Sequence, residues 1–220
     1  MKIRIATLVA AAALVSAPLA LARQGTAEAA PTAPTKITAP AMSAAQRDAL
    51  LKSVAASLET VKTASGRFDQ LSPDSSLTTG SFAISRPGKV RFDYDDPSPL
   101  LIVSNGTTVA MQDSELETTD RVPLGSTPLA LLLDDKLDFD SEAEVIDVAE
   151  LGDKVTVTLR DPKGEMDGTL TLIFSGPDHQ LAGWHTVDSA GNMTSVELHD
   201  IVTGKKINPR LFIVKDFDDE

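Results

Sequence analysis

The side chains in this sequence that could do chemistry are three histidines, many serines and a run of aspartates. Their spacing argues against most of that chemistry. His179, His185 and His199 show no metal-ligand spacing such as His-x-x-x-His. Serine and aspartate are plentiful enough for a Ser-His-Asp triad, yet no serine sits in a Gly-x-Ser-x-Gly elbow. No glycine-rich loop precedes a helix where it could cradle phosphate. Asp134, Asp135, Asp138 and Asp140 lack the glycine-punctuated spacing of a calcium loop and read as a solvated helix end. Asn105-Gly106-Thr107 and Asn192-Met193-Thr194 match glycosylation acceptors, but the first is better explained as a hairpin turn, and neither is given a function. The chain has no cysteine, which removes thiolate nucleophiles, disulfides, Cys-ligated metals and lipid attachment to an N-terminal Cys. The expectation is a non-enzymatic protein with no cofactor and no metal.

The charged residue that remains of interest is Arg86. It continues the alternation of Phe82 and Ile84 and therefore points to the same, apolar face. A guanidinium there has five donors to satisfy, for instance on the carbonyls of a covering helix or loop. It acts either as a latch or as a rim arginine capping the turn before Pro87.

The elements that would position it can be read along the chain. Residues 1–22 have the form of a signal peptide. Lys2 and Arg4 precede an Ala/Leu/Val run, and Ala20-Leu21-Ala22 supplies a small-x-small site with cleavage before Arg23. Residues 23–42 are Ala/Thr/Pro-rich and too poor in large apolar groups to offset ordering, so they read as a disordered leader. Residues 43–220 form the folded domain. Ser43 and Gln46 make a capping box, and Leu50, Leu51, Val54, Leu58 and Val61 follow at helical spacing, with Gly66 as the expected stop. From Arg67 the period becomes 2, through Phe82–Ile84, Val90–Tyr94, the Val103/Val109 pair flanking Asn105-Gly106, and Val155–Leu159. An Asp161–Gly164 turn and further segments at Leu170–Phe174, Trp184–Val187, Val196–Ile201 and Leu211–Val214 follow. This amounts to about ten or eleven short strands in an antiparallel meander. Ser126-Thr127-Pro128 before Leu129–Leu133 reads as a capped short helix. The fold class is mainly β (α+β): one curled antiparallel sheet covered by an N-terminal helix and a short central helix.

A net charge of −12 over 220 residues with no basic cluster excludes a phosphate-backbone binder, so no nucleic acid is expected. Only 4% of residues are aromatic, which suits flexible acyl chains better than a rigid planar ligand.

The stretch from Gly66 to Arg121 resembles the periplasmic outer-membrane lipoprotein carrier (LolA) family. The shared features are Gly66-Arg67-Phe68-Asp69-Gln70, Gly80-Ser81-Phe82, Arg86-Pro87-Gly88, Val90-Arg91-Phe92-Asp93-Tyr94, Pro99, Val103-Ser104-Asn105-Gly106 and, later, Thr127-Pro128-Leu129. The resemblance implies an unclosed β-barrel with a helical lid over an apolar cavity. It also implies a periplasmic chaperone that takes acylated lipoproteins from an inner-membrane lipoprotein-releasing transporter to an outer-membrane acceptor, working as a monomer. It assigns the lid latch to Arg86 and the cavity mouth to Val90 and Phe92, with Val90 standing where a bulkier Phe or Leu is usual. Phe68, Phe82, Ile84, Leu129, Leu132, Leu172, Phe174 and Trp184 complete the expected cavity lining. A carrier of another lipid or glycolipid on the same fold, or an interaction domain with a filled core, remain the alternatives.

Overall fold

A computed structural model describes residues 42–135, 139, 143–161 and 168–217. The expected signal peptide, almost all of the leader, Asp138, Asp140 and the Pro162–Gly164 part of the expected turn lie outside the described residues. The chain divides into a unit Met1–Ile37, also outside them, and a unit Thr38–Glu220.

Helix α1 (Ala44–Thr60) begins at Ser43, whose side chain accepts from the Gln46 amide while Gln46 Oε1 accepts from the Ser43 amide. Two orphan amides are thereby satisfied reciprocally, as the capping-box sequence requires. The helix ends where Thr60, Val61 and Thr63 crowd three β-branched side chains into four residues. Gly66 is not the stop: it lies inside the first strand, beside an irregularity between Ser65 and Arg67. A Cβ there would come within 2.7 Å of the His199 carbonyl oxygen and 2.9 Å of the Phe82 ring. The glycine therefore marks a close backbone approach in a strand, which local sequence does not distinguish from a helix terminator.

Eleven strands among the described residues form one antiparallel sheet: β1 (Thr63–Leu71), β2 (Leu77–Ser85), β3 (Lys89–Tyr94), β4 (Leu100–Asn105), β5 (Thr108–Asp113), β6 (Thr118–Pro123), β7 (Glu144–Leu151), β8 (Lys154–Arg160), β9 (Thr169–Ser175), β10 (Gln180–Val187) and β11 (Met193–Thr203). The order is β6-β5-β4-β3-β2-β1-β11-β10-β9-β8-β7. Two meanders are thus joined at one long-range ladder, where Phe68 faces Leu198 and Arg67 faces His199. The edges β6 and β7 do not pair among the described residues, so the sheet rolls without closing. Helix α2 (Leu129–Leu133) lies in the connection between those edges. Its N-cap is Pro128 with no side-chain cap; Ser126 and Thr127 instead bond back to the carbonyls of Pro123 and Leu124, ending a 3-10 turn.

Alternation is strict where one face is covered. Val155, Val157 and Leu159 on β8, and Leu170, Leu172 and Phe174 on β9, are all buried while their neighbours are not. The aromatic part of the core is a chain of edge contacts, with Phe68 5.3 Å from Phe92 and 5.0 Å from Tyr94, and Phe92 5.9 Å from Trp184.

The expected strand at Leu211–Val214 is absent. Pro209–Phe212 is a 3-10 helix with Pro at its start and Asn208 capping it. The tail beyond Asn208 runs along the outer face of β3–β6. There Phe212, Val103 and Ala110 are buried, Gln112 donates to the Lys215 carbonyl at 2.8 Å, and Arg121 pairs with Asp216 at 2.7 Å. The apolar alternation of this segment serves a strap rather than a ladder.

Candidate functional site

The β2–β3 turn, Arg86-Pro87-Gly88, is bonded to both helices. The Arg86 amide donates to the Lys62 carbonyl at 2.8 Å, and its guanidinium Nη1 donates to the Leu58 carbonyl oxygen in the last turn of α1. The Gly88 amide donates to the carbonyl of Leu133, the last residue of α2, at 2.9 Å. Ser104 on β4, fully buried, donates its hydroxyl to the Gly88 carbonyl at 2.6 Å. Lys62 and Asp135, just beyond the two helix ends, pair at 3.0 Å. One turn therefore holds the C-terminal ends of both helices, where unpaired carbonyls and the negative end of each helix dipole favour donors. Burial lowers the Arg86 pKa from its ordinary value, and Asp135 and Asp134 oppose that shift.

Helix α1 has a second attachment. The β9–β10 turn carries His179 with φ +47°, and this backbone presents its carbonyl to the Ser57 hydroxyl at 2.7 Å. Ser53 Oγ meets His179 Nδ1 at 2.8 Å. Nearer its start, Arg47 donates to the Val145 carbonyl of β7 at 3.0 Å. By contrast only Val54 and Leu58 of α1 are fully buried, with Leu50, Leu51 and Val61 partly so.

Beneath the C-terminal half of α1 lies a cavity of about 500 Å³. Its floor is the buried apolar set Leu58, Ala64, Phe82, Ile84 and Leu198, and Arg86 lines it as well. Its rim includes the exposed Ser53, Asp178, Gln180 and Thr203.

The sequence-expected lining residues divide into two groups. Phe82 and Ile84 line this cavity. Phe68, Val90, Phe92, Leu132, Leu172, Phe174 and Trp184 are buried in the hydrophobic core, with Leu129 packed against it. Arg86 stands at the cavity and on the helix carbonyl at once. Gly88, Ser104, Ser57 and His179 were missed, because a backbone amide and small hydroxyls carry no signal until the elements they join are known.

The other histidines sit on the outer face. His185 meets Ser195 Oγ across β10–β11, and His199 lies between Asp69 at 3.1 Å and Asp200 at 3.2 Å, which raise its pKa above the usual histidine value. Among the described residues no group of three or more His, Asp or Glu is placed to hold a metal ion. No helix there is long and apolar enough to cross a membrane.

An antiparallel sheet that does not close among the described residues, with an N-terminal helix and a short helix both tied to its β2–β3 turn, defines an unclosed β-barrel with helical cover. The chain belongs to the outer membrane lipoprotein carrier protein LolA family, which it matches over residues 59–215. It is 32% identical over 164 residues to an outer-membrane lipoprotein carrier protein of Methylococcus capsulatus, covering 70% of this chain and 78% of the relative. A protein of the same name from Azotobacter vinelandii is 33% identical over 163 residues, covering 70% of this chain and 76% of the relative. Among solved structures, a LolA superfamily protein from Nitrosomonas europaea aligns with a TM-score of 0.43 at 8% identity, over 74% of this chain and 97% of that one.

Proposed function

We propose that this chain is a periplasmic carrier that shields the acyl chains of lipoproteins between an inner-membrane lipoprotein-releasing transporter and an outer-membrane acceptor. It acts as a monomer, without catalysis or cofactor. In this reading residues 1–22 direct export and are removed, residues 23–42 form a leader, and residues 43–220 do the carrying. The observation that carries the proposal is the apolar cavity under α1, roofed by a helix whose end is held by Arg86. Family membership and the names of the relatives support it.

The magnitudes say how loading would proceed. A methylene takes up about the volume of a water, roughly 30 Å³, so the cavity of about 500 Å³ accommodates about one sixteen-carbon chain. A lipoprotein with several chains requires α1 to lift, which opens the groove toward Val90, Phe92 and Leu132. Lifting exposes Val54 and Leu58, at about 1.5–3 kcal/mol each, and breaks a few hydrogen bonds, each worth about 1 kcal/mol net. Burying one chain of about fifteen methylenes returns about 12 kcal/mol. One chain already outweighs the opening of the lid, which costs roughly 6–10 kcal/mol, and two or three do so by a wide margin. An empty carrier therefore stays shut and a loaded one stays open, with no energy source needed beyond the cargo.

Native mass spectrometry of protein purified gently from the cell envelope tests the proposal. A bound triacylated lipoprotein supports it. A different bound lipid keeps the fold and moves the function to another cargo, while a ligand-free protein that also rejects a hydrophobic dye would overturn the carrier reading.

A further inference from the structure

The segment after β11 crosses the outer face of β3–β6 as a strap, and its two sides differ. Phe212 is buried against that face, and Val214 and Asp216 are half-buried beside it. The alternate side chains turn away from the sheet: Leu211, Ile213 and Phe217 are 38%, 61% and 40% exposed. Lys205, Lys206, Arg210 and Lys215 are exposed along the same segment, and Lys205–Lys215 contains no acid. A single exposed leucine is ordinary. Large aliphatics set among cations, with no acid between them, are not ordinary in a chain of net charge −12. The two acids bonded into this part of the fold are already paired, Asp93 with Arg91 and Asp216 with Arg121, each at 2.7 Å.

We propose that the start of this strap docks the protein on an anionic phospholipid surface. Lys205, Lys206 and Arg210 meet the lipid phosphates, and Leu211 and Ile213 enter the headgroup region. Apolar side chains insert at the boundary between headgroups and acyl chains while flanking cations answer the surface potential, and the two contributions add. The spacing of these cations is too open for a nucleic-acid backbone, and an acidic protein would answer the cations alone. Leu211 and Ile213 project from the outside of the rolled sheet, which suits a planar interface. Negative charge elsewhere on the chain does not forbid docking, because at physiological salt a charge is felt over only about 8 Å. Asp218, Asp219 and Glu220 follow Phe217 in the sequence, outside the described residues, so the docking strip is centred on the strap's other end. Docking there would bring Thr203, the end of β11 and part of the cavity rim, toward the lipid. The proposal rests on the strap and not on the cargo, so either can fail without the other.

The test is co-sedimentation of the full mature chain with vesicles of equimolar phosphatidylglycerol and phosphatidylcholine, against vesicles of phosphatidylcholine alone. Binding is expected to the mixed vesicles only, weakening as salt rises. Lys205→Gln/Lys206→Gln/Arg210→Gln should weaken it by about a hundredfold, from about fivefold for each cation near the surface. Leu211→Ser/Ile213→Ser should weaken it by about tenfold and leave the salt dependence in place. All five side chains are exposed, and fluorescence of Trp184 checks the fold of each variant. No binding to mixed vesicles, equal binding to both compositions, or full binding by either variant would overturn the proposal. Binding to polyglutamate but not to vesicles would overturn it too, and would assign the strip to an acidic protein. The comparison of lipid compositions is made on the unmutated protein and does not depend on how well a variant folds.

Discussion

Arg86→Leu is the substitution with the most to say about the lid. The bond it removes joins a charged donor to the Leu58 carbonyl, an interaction worth about 1.5–3 kcal/mol where the acceptor would otherwise be orphaned. Here the acceptor is not orphaned, because the Val61 amide also donates to the Leu58 carbonyl at 3.1 Å. Leucine further relieves the desolvation that lowers the Arg86 pKa. Both effects place the loss at the low end, about 1–2 kcal/mol, or about a five- to thirtyfold shift of the lid toward open. The Gly88–Leu133 bond does not involve the guanidinium, so α2 should remain seated. Amide hydrogen exchange reads this directly: protection of α1 around Val54 and Leu58 should fall by that factor, while β8 and β9 amides keep theirs. On the proposed carrier reading, in which cargo binds the open form, its apparent affinity should rise by the same factor as the open population. Transfer to an acceptor should slow accordingly. Unchanged α1 protection would refute the clasp, and an equal loss across the sheet would show that Arg86 supports the fold rather than the lid.

Three further outcomes follow from single sites. Gly80→Ala would bring a Cβ within 2.3 Å of the Asp93 carbonyl and 2.5 Å of the Phe68 ring. It should lower stability by about 1–3 kcal/mol, read from Trp184 fluorescence in a denaturant series; an unmoved midpoint would contradict that geometry. Tyr94, the single tyrosine, is pushed up to about 12 by burial, which outweighs its 2.8 Å bond to Gln70. Its neutral form is thus favoured by folding, so the stability it contributes is present below pH 10 and lost as pH rises toward 12; a phenolate absorbance midpoint near 10 in the folded protein would sink this. His199 is raised by Asp69 first and Asp200 second. Its contribution is full below pH 6.5 and fades as pH rises through the folded value, and Asp69→Asn should lower the NMR titration midpoint, which would stay put if the pairing were incidental.

The parts legible in the sequence are those where one physical requirement acts alone. Ser43 and Gln46 announce a helix start because the capping box is local. Val155–Leu159 and Leu170–Phe174 announce strands because one face is buried and the other is not. The edge strands β6 and β7 went unnamed since neither buries a face: Val122 and Ile146 are exposed, and Thr118–Pro123 contains no buried residue. Leu211–Val214 misled for the opposite reason, because its apolar residues answer to the outer face of β3–β6 and Pro209 denies the segment a ladder. Arg86 was readable as a latch candidate from alternation, and the carbonyls of a covering helix or loop as its class of partner, but not the particular carbonyl, Leu58, because a helix C-terminal carbonyl leaves no trace in side-chain pattern.

The division of the concave face between filled and empty space bears on how such a carrier works. Phe68, Phe92, Tyr94 and Trp184 interlock in edge contacts, and such packing tolerates little added volume. The empty volume lies under the last turns of α1, next to the turn that clasps both helices. Cargo entering there meets the clasp before it meets the core. The first methylenes inserted would act on the Leu58–Arg86 bond and on the few buried contacts of α1, while the sheet ladders need not change register. If Arg86 is the latch we propose, placing capacity and latch at the same end would let a small number of weak contacts decide between shut and open, separately from the folding of the sheet.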